Sequence, residues 1–334
     1  MTVFTLLGAI VLVFIASLLF VNALEWLGHH LKLGSSFVGA ILSPLFTSLP
    51  ELIIILIAIF SNLGKTGPEI GIGTIYGEPF MASSLSYGLV GIAVLLGYLA
   101  KKRKSSTMVI DKTLALPYIF IIVLFPLTLI PGFVHLTWLK YGFGLFFLAA
   151  FVVYMILMYR QRTSELMEES EELTFGRIGP KTLSFQRITV TAQVLTAAVL
   201  LYFGSRFLVS AVATIATRIN ASPLGLAMVI IPIATVIPET ITALIWGYRG
   251  KDTLSVGSLV GEKILFATFY PALGLFLTPW VLNIDAVFSV ICTTIVSLLL
   301  LVLILKKRLP WYGLLFGLIF FIIFAVIIFT AKLQ

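Results

Sequence analysis

Four carboxylates in strongly apolar surroundings are the residues of this sequence best suited to chemistry. The pattern P-x-x-T-x-x-P-E occurs twice, and the pattern G-x-x-x-G-E follows each copy. Their residues are Pro44, Thr47, Pro50, Glu51, Gly73, Gly77 and Glu78, and then Pro232, Thr235, Pro238, Glu239, Gly257, Gly261 and Glu262. A carboxylate inside hydrocarbon is costly, so its presence indicates a functional site. Two matched pairs predict a cation site at the junction of two repeats.

The prolines and threonines would add further oxygen ligands. A proline within a helix removes a backbone hydrogen bond and frees a carbonyl, which membrane depth tolerates only inside protein or beside a wet cavity. Freed carbonyls, the Thr47 and Thr235 hydroxyls and the Glu51 and Glu239 carboxylates form an all-oxygen set that suits hard cations such as Ca²⁺. The alternative is two kinked helices with protonated glutamates, and the duplication of the pattern argues against it.

The glycine pairs predict how these helices are positioned. Glycines four residues apart let helix backbones approach closely. We expect them to set the third and eighth spans against the broken second and seventh spans. Glu78 and Glu262 would then point at the same cavity as Glu51 and Glu239.

The composition indicates a membrane protein. Hydrophobic residues make up 60% of the chain and charged residues 11%, and the mean hydropathy is +1.13. The net charge of +8 does not indicate a nucleic-acid partner, because the Lys and Arg residues lie in short clusters between apolar runs, as topology in a lipid bilayer requires. The single cysteine, Cys292, excludes an intramolecular disulfide framework.

Apolar runs long enough to span a bilayer predict an all-α integral membrane protein with ten transmembrane helices. The predicted spans are 3–27, 36–60, 69–99, 114–131, 137–159, 188–217, 222–248, 254–278, 283–305 and 310–331. A polar linker, 160–187, separates two halves of five spans, 1–159 and 188–334. An odd number of spans per half makes the two repeats inverted, as in many secondary transporters.

The distribution of basic residues predicts the orientation. Sixteen of the 22 Lys and Arg residues fall on the side of the 160–187 linker and four on the other, while Arg206 and Lys263 lie inside spans. The positive-inside rule therefore places the linker in the cytoplasm and both termini outside, which we assign to a plasma (inner) membrane. The role of Arg206 stays open, although in lipid it needs a partner or water.

The paired motifs, T-S-L-P-E-L at 47–52 and A-T-V-I-P-E-T at 234–240, each followed by a G-x-x-x-G helix, resemble the two α-repeats of the calcium/cation antiporter superfamily. That superfamily includes sodium/calcium and proton/calcium exchangers. The resemblance implies that Glu51 and Glu239 are the central Ca²⁺ ligands and that Thr47 and Thr235 lend carbonyls and hydroxyls. It also implies that spans one and six move across a fixed core to alternate access.

Departures from the family pattern concern the sodium sites. Exchangers usually have polar or carboxamide residues after the glycine pair, where this chain has Glu78-Pro79 and Glu262-Lys263. Ser48 is retained in the first copy, whereas Val236 replaces the corresponding serine in the second. Both changes remove ligands from sodium sites of the family type.

Lys263 is the residue that could compensate for these losses. The four carboxylates sum to −4, and a protonated Lys263 brings the cavity to −3, which still accommodates a divalent cation. The ammonium could act as a tethered monovalent ion in place of Na⁺, and a buried lysine can also carry a proton. A permanent ion pair with Glu262 or Glu78 is the structural alternative.

We therefore predict a secondary antiporter that exchanges a divalent cation, Ca²⁺ first, for H⁺ or Na⁺ by alternating access, with no resident cofactor. Two alternatives stay open, an exchanger of the same fold for Mg²⁺ or Mn²⁺ and a cation channel. An enzyme is not predicted, because the sequence contains neither G-x-S-x-G nor H-E-x-x-H.

Overall fold

The structure, a computed structural model, describes residues 2–30, 43–134, 136–160, 172–178, 180 and 182–330. Within these ranges the chain is almost entirely helical, with one π-helix, Ala82–Ser86, between the fourth and fifth α-helices. The α-helices are α1 (Thr2–His30), α2 (Ser43–Thr47), α3 (Leu49–Ile59), α4 (Thr66–Met81), α5 (Tyr87–Leu99), α6 (Ala115–Leu127), α7 (Thr137–Arg160), α8 (Leu183–Ile219), α9 (Pro223–Arg249), α10 (Asp252–Ala267), α11 (Phe269–Leu277), α12 (Ile284–Leu305) and α13 (Trp311–Thr330).

The described helices support a membrane-spanning architecture. Eight helical stretches are long and apolar enough to cross a bilayer, and a ninth is formed if the two arms of the bent α9 count as one span. The predicted second span, 36–60, is described only from residue 43, and its main helix, α3, has 11 residues. The count of ten spans and the inversion of the repeats therefore stay predictions. A pair of two-residue strands, β1 (Thr107–Met108) and β2 (Leu309–Pro310), departs from the all-α expectation.

The helices that carry the motifs lie at the centre of the molecule. Every residue of α4 from Ile70 to Met81 is buried. This helix packs against α3, α9 and α12, and α9 packs in turn against α5 and α10. Peripheral helices expose large apolar side chains instead, such as Phe4 on α1 and Ile322 on α13. The arrangement is that of a buried core within a lipid-facing shell.

Gly73 and Gly77 hold α4 against α9, as the first glycine pair predicts. A Cβ atom added at Gly77 would lie 2.5 Å from Met228 Cα, and one added at Gly73 would overlap the Leu224 carbonyl oxygen. Pro232 lies four residues after Met228 and lacks the N–H that would bond to the Met228 carbonyl. Gly77 thus allows α4 to approach the backbone of α9 at a carbonyl that proline has freed.

A polar joint fastens the two halves near the ends of α5 and α9. The Arg103 guanidinium donates to the Gly247 carbonyl at 2.7 Å and forms a salt bridge with Asp252 at 3.0 Å. The same aspartate accepts a bond from the Val109 N–H at 2.9 Å. Because each partner pair joins one half to the other, this end of the core is fixed without help from the linker.

Candidate cation-binding site

The first motif lies at a break between α2 and α3. Ser48 separates the two helices with φ −92° and ψ 2°, Pro50 lies in the first turn of α3, and Glu51 follows it. The Ser48 carbonyl accepts a hydrogen bond from the Tyr270 hydroxyl at 2.6 Å. The break predicted from the prolines is therefore present, and the carbonyl exposed at the break is bonded to a residue of the other half.

The second motif lies at a bend within α9. The segments Pro223–Ile237 and Glu239–Arg249 meet at 58°, and the intervening residue is Pro238. Glu239 is the first residue after the bend, just as Glu51 follows the break in the first half. In both motifs the carboxylate thus begins a new helical direction, where the preceding backbone carbonyls are not all used by the helix.

The four motif carboxylates come together in the core. Glu51, Glu78 and Glu262 are 2%, 1% and 4% exposed, and Glu239 is partly buried. Charge–charge interactions connect Glu51, Glu78 and Glu239 to Glu262, and Glu239 also interacts with Glu51 and Glu78. The carboxylates of both glycine motifs and both proline motifs therefore form one electrostatic cluster.

Three carboxylate oxygens in this cluster are buried without a hydrogen-bond partner among the described residues: Oε2 of Glu51, of Glu78 and of Glu239. Buried polar atoms are normally paired, and an unpaired charge in a dry interior is costly. Such oxygens are suited to receive a cation. Across the described ranges no three His, Cys, Asp or Glu side chains are arranged to coordinate one metal together. A bound cation would therefore complete its shell with carbonyls, hydroxyls or water, or by a small closure of the helices.

The two motif threonines differ in their positions. The Thr235 side chain lies near the Glu51 carboxylate and interacts with it, which brings the second motif next to the first. Its hydroxyl also lies 3.4 Å from the Ile231 carbonyl. Thr47 is partly exposed at the end of α2. Thr235 is thus buried beside Glu51, whereas Thr47 is partly exposed.

Lys263 is completely buried, at 0% exposed. Its Nζ atom donates to the Ser83 hydroxyl at 2.8 Å and lies 4.3 Å from the centre of the Tyr87 ring. Its charge interacts with that of Glu78. The ammonium therefore lies beside the carboxylate cluster, in contact with the π-helix of the first half.

Several residues of the site are not found by the motifs. Tyr270 binds the broken backbone at Ser48, with its hydroxyl 2.9 Å from the Ser48 hydroxyl. Ser86 shares a hydrogen bond of 2.8 Å with Thr240, the residue after Glu239. The run Ser83-Ser84-Leu85-Ser86 in an apolar span was the available signal for the serines. For Tyr270 the only feature in the sequence that marked the position was the adjacent Pro271.

Arg206 does not take part in this cluster. It is exposed on α8, and its guanidinium lies over the Tyr202 ring at 5.8 Å from the ring centre. Nη1 lies 3.4 Å from the Tyr202 hydroxyl. Arg206 was expected to need a partner or water, and its partner in the structure is Tyr202, one helical turn earlier.

Buried carboxylates where two halves of a helical membrane protein meet are typical of sites on an ion pathway. Comparison with known proteins defines the class further. The chain belongs to the sodium/calcium exchanger protein family, whose model matches residues 1–160 and 189–331. The predicted resemblance to the calcium/cation antiporter superfamily is confirmed, and this family consists of transporters. It does not favour a channel or an exchanger dedicated to Mg²⁺ or Mn²⁺.

Individual relatives are distant but extend over most of the chain. A putative antiporter CaxA of Alkalimonas amylolytica is 23% identical over 292 residues, which cover 85% of this chain and 83% of that one. The crystal structure of the H⁺/Ca²⁺ exchanger CAX superposes with a TM-score of 0.72 at 18% identity, covering 99% of this chain and 86% of that chain. The sodium-calcium exchanger NCX_Mj gives 0.58 at 19% identity, with coverages of 96% and 97%. These likenesses support the exchanger fold.

Proposed function

We propose that this protein is an antiporter that exchanges Ca²⁺ for protons across a membrane by alternating access. The observation that carries the proposal is the cluster of Glu51, Glu78, Glu239 and Glu262, which combines carboxylates of both halves and contains buried oxygens without a hydrogen-bond partner among the described residues. Hard divalent cations bind to carboxylate, carbonyl and hydroxyl oxygens, all of which occur here. Glu51 and Glu239, with Thr47 and Thr235 beside them, would bind the substrate ion.

Protons are favoured over Na⁺ as the counter-ion by the composition of the site. Carboxylates that lose a divalent cation in an apolar core need another positive charge to neutralise them. The lysine ammonium already lies beside Glu78, and Val236 supplies no hydroxyl where a sodium ligand is expected. The carboxylates themselves accept protons without any further ligands.

The architecture proposed is that of two inverted five-helix repeats, 1–159 and 188–334, joined by the linker 160–187. Helices α1 and α8 pack along each other and border the core at α3 and α9. These two helices correspond to spans one and six, which we propose move together across the fixed core. An alternating-access site of this kind is expected where the repeats meet, and the motif helices α3, α4, α9 and α10 supply the four carboxylates.

A direct test is ⁴⁵Ca²⁺ uptake into proteoliposomes with an imposed proton gradient, a sodium gradient or neither. We expect uptake to follow the proton gradient and to be unaffected when Na⁺ is replaced by choline. Uptake that requires a sodium gradient and ignores a proton gradient would overturn the proposed counter-ion. Uptake without any counter-ion gradient, at a rate set only by the Ca²⁺ gradient, would indicate a channel. Competition by Mg²⁺ and Mn²⁺ in the same assay measures the selectivity.

The proposed orientation, with the linker in the cytoplasm and both termini outside, follows from the basic residues and is tested by labelling. A Ser170→Cys variant in a Cys292→Ser background is expected to resist an impermeant thiol reagent applied to intact cells. It should react once the membrane is permeabilised. The probe position lies outside the described residues. Rapid labelling from outside would show that the orientation is reversed.

A further inference from the structure

The Lys263 ammonium lies in a pocket built mainly by residues of the other half. Ser83 Oγ accepts its hydrogen bond at 2.8 Å, and the Tyr87 ring faces it at 4.3 Å. Glu78 supplies a neighbouring negative charge. All four side chains are buried. The ammonium is therefore flanked by one hydroxyl and one aromatic face, and it interacts with the charge of a nearby carboxylate inside the protein.

The backbone of the first half is shaped to form this pocket. The π-helix Ala82–Ser86 widens one turn, and the Tyr87 N–H donates to the Ala82 carbonyl five residues earlier. Ser83 and Tyr87 then both face Lys263, while Ser86 bonds to Thr240 of α9. Single π-turns inside α-helices are rare and are frequent at functional sites.

A second hydroxyl fixes the ring that faces the ammonium. The Tyr87 and Tyr118 hydroxyls share a short hydrogen bond of 2.6 Å, and both tyrosines are fully buried. Tyr118 lies on α6, so the orientation of the Tyr87 ring is set from outside the π-helix. The aromatic wall of the pocket is thus held in place by protein and not by Lys263 itself.

The ligands of the pocket define the class of cation that it takes. An aromatic face attracts an ammonium through the ring quadrupole, a hydroxyl accepts its N–H bond, and a nearby carboxylate adds electrostatic attraction. A divalent cation such as Ca²⁺ needs six to eight oxygens, which a ring face does not offer. The pocket therefore differs in selectivity from the adjoining carboxylates, whose oxygens suit the divalent ion.

We propose that this pocket is a second cation site, selective for a monovalent ammonium-type cation, and that Lys263 fills it in the native protein. Lys263 then determines ion specificity, because its tethered ammonium excludes soluble monovalent cations from the cluster. The inference deepens the proposed function and rests on it in one respect, the assignment of the neighbouring carboxylates to the divalent substrate. Truncation of the lysine would leave the pocket open to a small soluble amine.

The test uses thermal unfolding of the purified Lys263→Ala protein in detergent with increasing methylammonium chloride. We expect a saturable rise in Tm of several degrees in the variant and none in the wild type, with choline chloride as the control for ionic strength. The response should disappear in the double variant Lys263→Ala/Tyr87→Leu. Absence of a saturable response in Lys263→Ala, or an equal response in the wild type, would refute the pocket. A response to Na⁺ as strong as that to methylammonium would refute its selectivity.

A second pair of variants keeps Lys263 and so remains informative if the alanine variant does not fold. Tyr87→Phe retains the aromatic face and loses the bond to Tyr118, whereas Tyr87→Leu loses both. We expect the Phe variant to melt below the wild type because it loses the bond to the buried Tyr118 hydroxyl, and the Leu variant to melt clearly lower still. Equal losses in the two variants would contradict a role for the ring. Because neither assay requires transport, their failure is distinguishable from a failure of Ca²⁺ flux in proteoliposomes.

Discussion

Glu51→Gln and Glu239→Gln are each expected to lower Ca²⁺ flux by about 100-fold or more while leaving a folded protein. Glutamine keeps the volume of the side chain and removes its negative charge. Loss of one partner from a buried charge pair costs about 3–5 kcal/mol, and about 1.4 kcal/mol corresponds to a factor of ten in affinity. The two variants should behave alike, because each carboxylate follows a helix break and both interact with Glu262.

Flux of ⁴⁵Ca²⁺ in proteoliposomes measures this effect, and size-exclusion chromatography reports whether the variants remain folded. Glu69→Gln is the matched control, since Glu69 lies in the first turn of α4, outside both motifs. We expect it to transport at nearly the parental rate. If either motif variant also transported at that rate, the two carboxylates would not share one ion.

Gly77→Ala is expected to destabilise the protein and to reduce transport at least tenfold, although it adds a single methyl group. The new Cβ atom would lie 2.5 Å from Met228 Cα and 2.7 Å from the Met228 carbonyl oxygen. Backbone atoms cannot rotate away, so α4 and α9 have to separate. Overpacking of a tight interior typically costs about 1–3 kcal/mol, and here the separation also moves Glu78 relative to Glu239.

Thermal unfolding in detergent, together with the same flux assay, checks this expectation. Gly142→Ala in α7 is the control, because a Cβ atom there meets nothing within 4 Å. In a helix, alanine is favoured over glycine by about 1 kcal/mol, so this variant should be as stable as the wild type or more so. A Gly77→Ala protein with unchanged Tm and flux would mean that the close approach of α4 to α9 is not needed.

Much of the site follows from local chemistry that the sequence displays. Pro50 and Pro238 disrupt their helices through missing N–H groups and steric clashes, and these effects act within one turn. The break at Ser48 and the bend before Glu239 could therefore be predicted from the sequence alone. Gly77 likewise predicts a close helix contact because it lacks a side chain, and α4 does meet α9 there.

The sequence could not predict which residues meet across the two halves. Lys263 bonds to Ser83 from 180 residues away, and Tyr270 bonds to Ser48 from 222 residues away. Such pairs depend on how the helices are packed, and no local pattern encodes that packing. The π-helix is a second example. Its wider turn rotates the serines of Ala82–Ser86 relative to an α-helix and so decides which of them faces Lys263, and the serine positions in the sequence do not reveal this.

The hydrogen bonds that cross between the halves bear on how the chain is made. Synthesis proceeds from the N-terminus, so the first half enters the bilayer before Thr240, Lys263 and Tyr270 have left the ribosome. Until then Ser83 and Ser86 lack their partners Lys263 and Thr240, and the Ser48 carbonyl has the Leu52 N–H but not the Tyr270 hydroxyl. Polar groups at membrane depth need protein or water around them. The polar contacts of the first half are therefore completed only when α9 to α11 have been made.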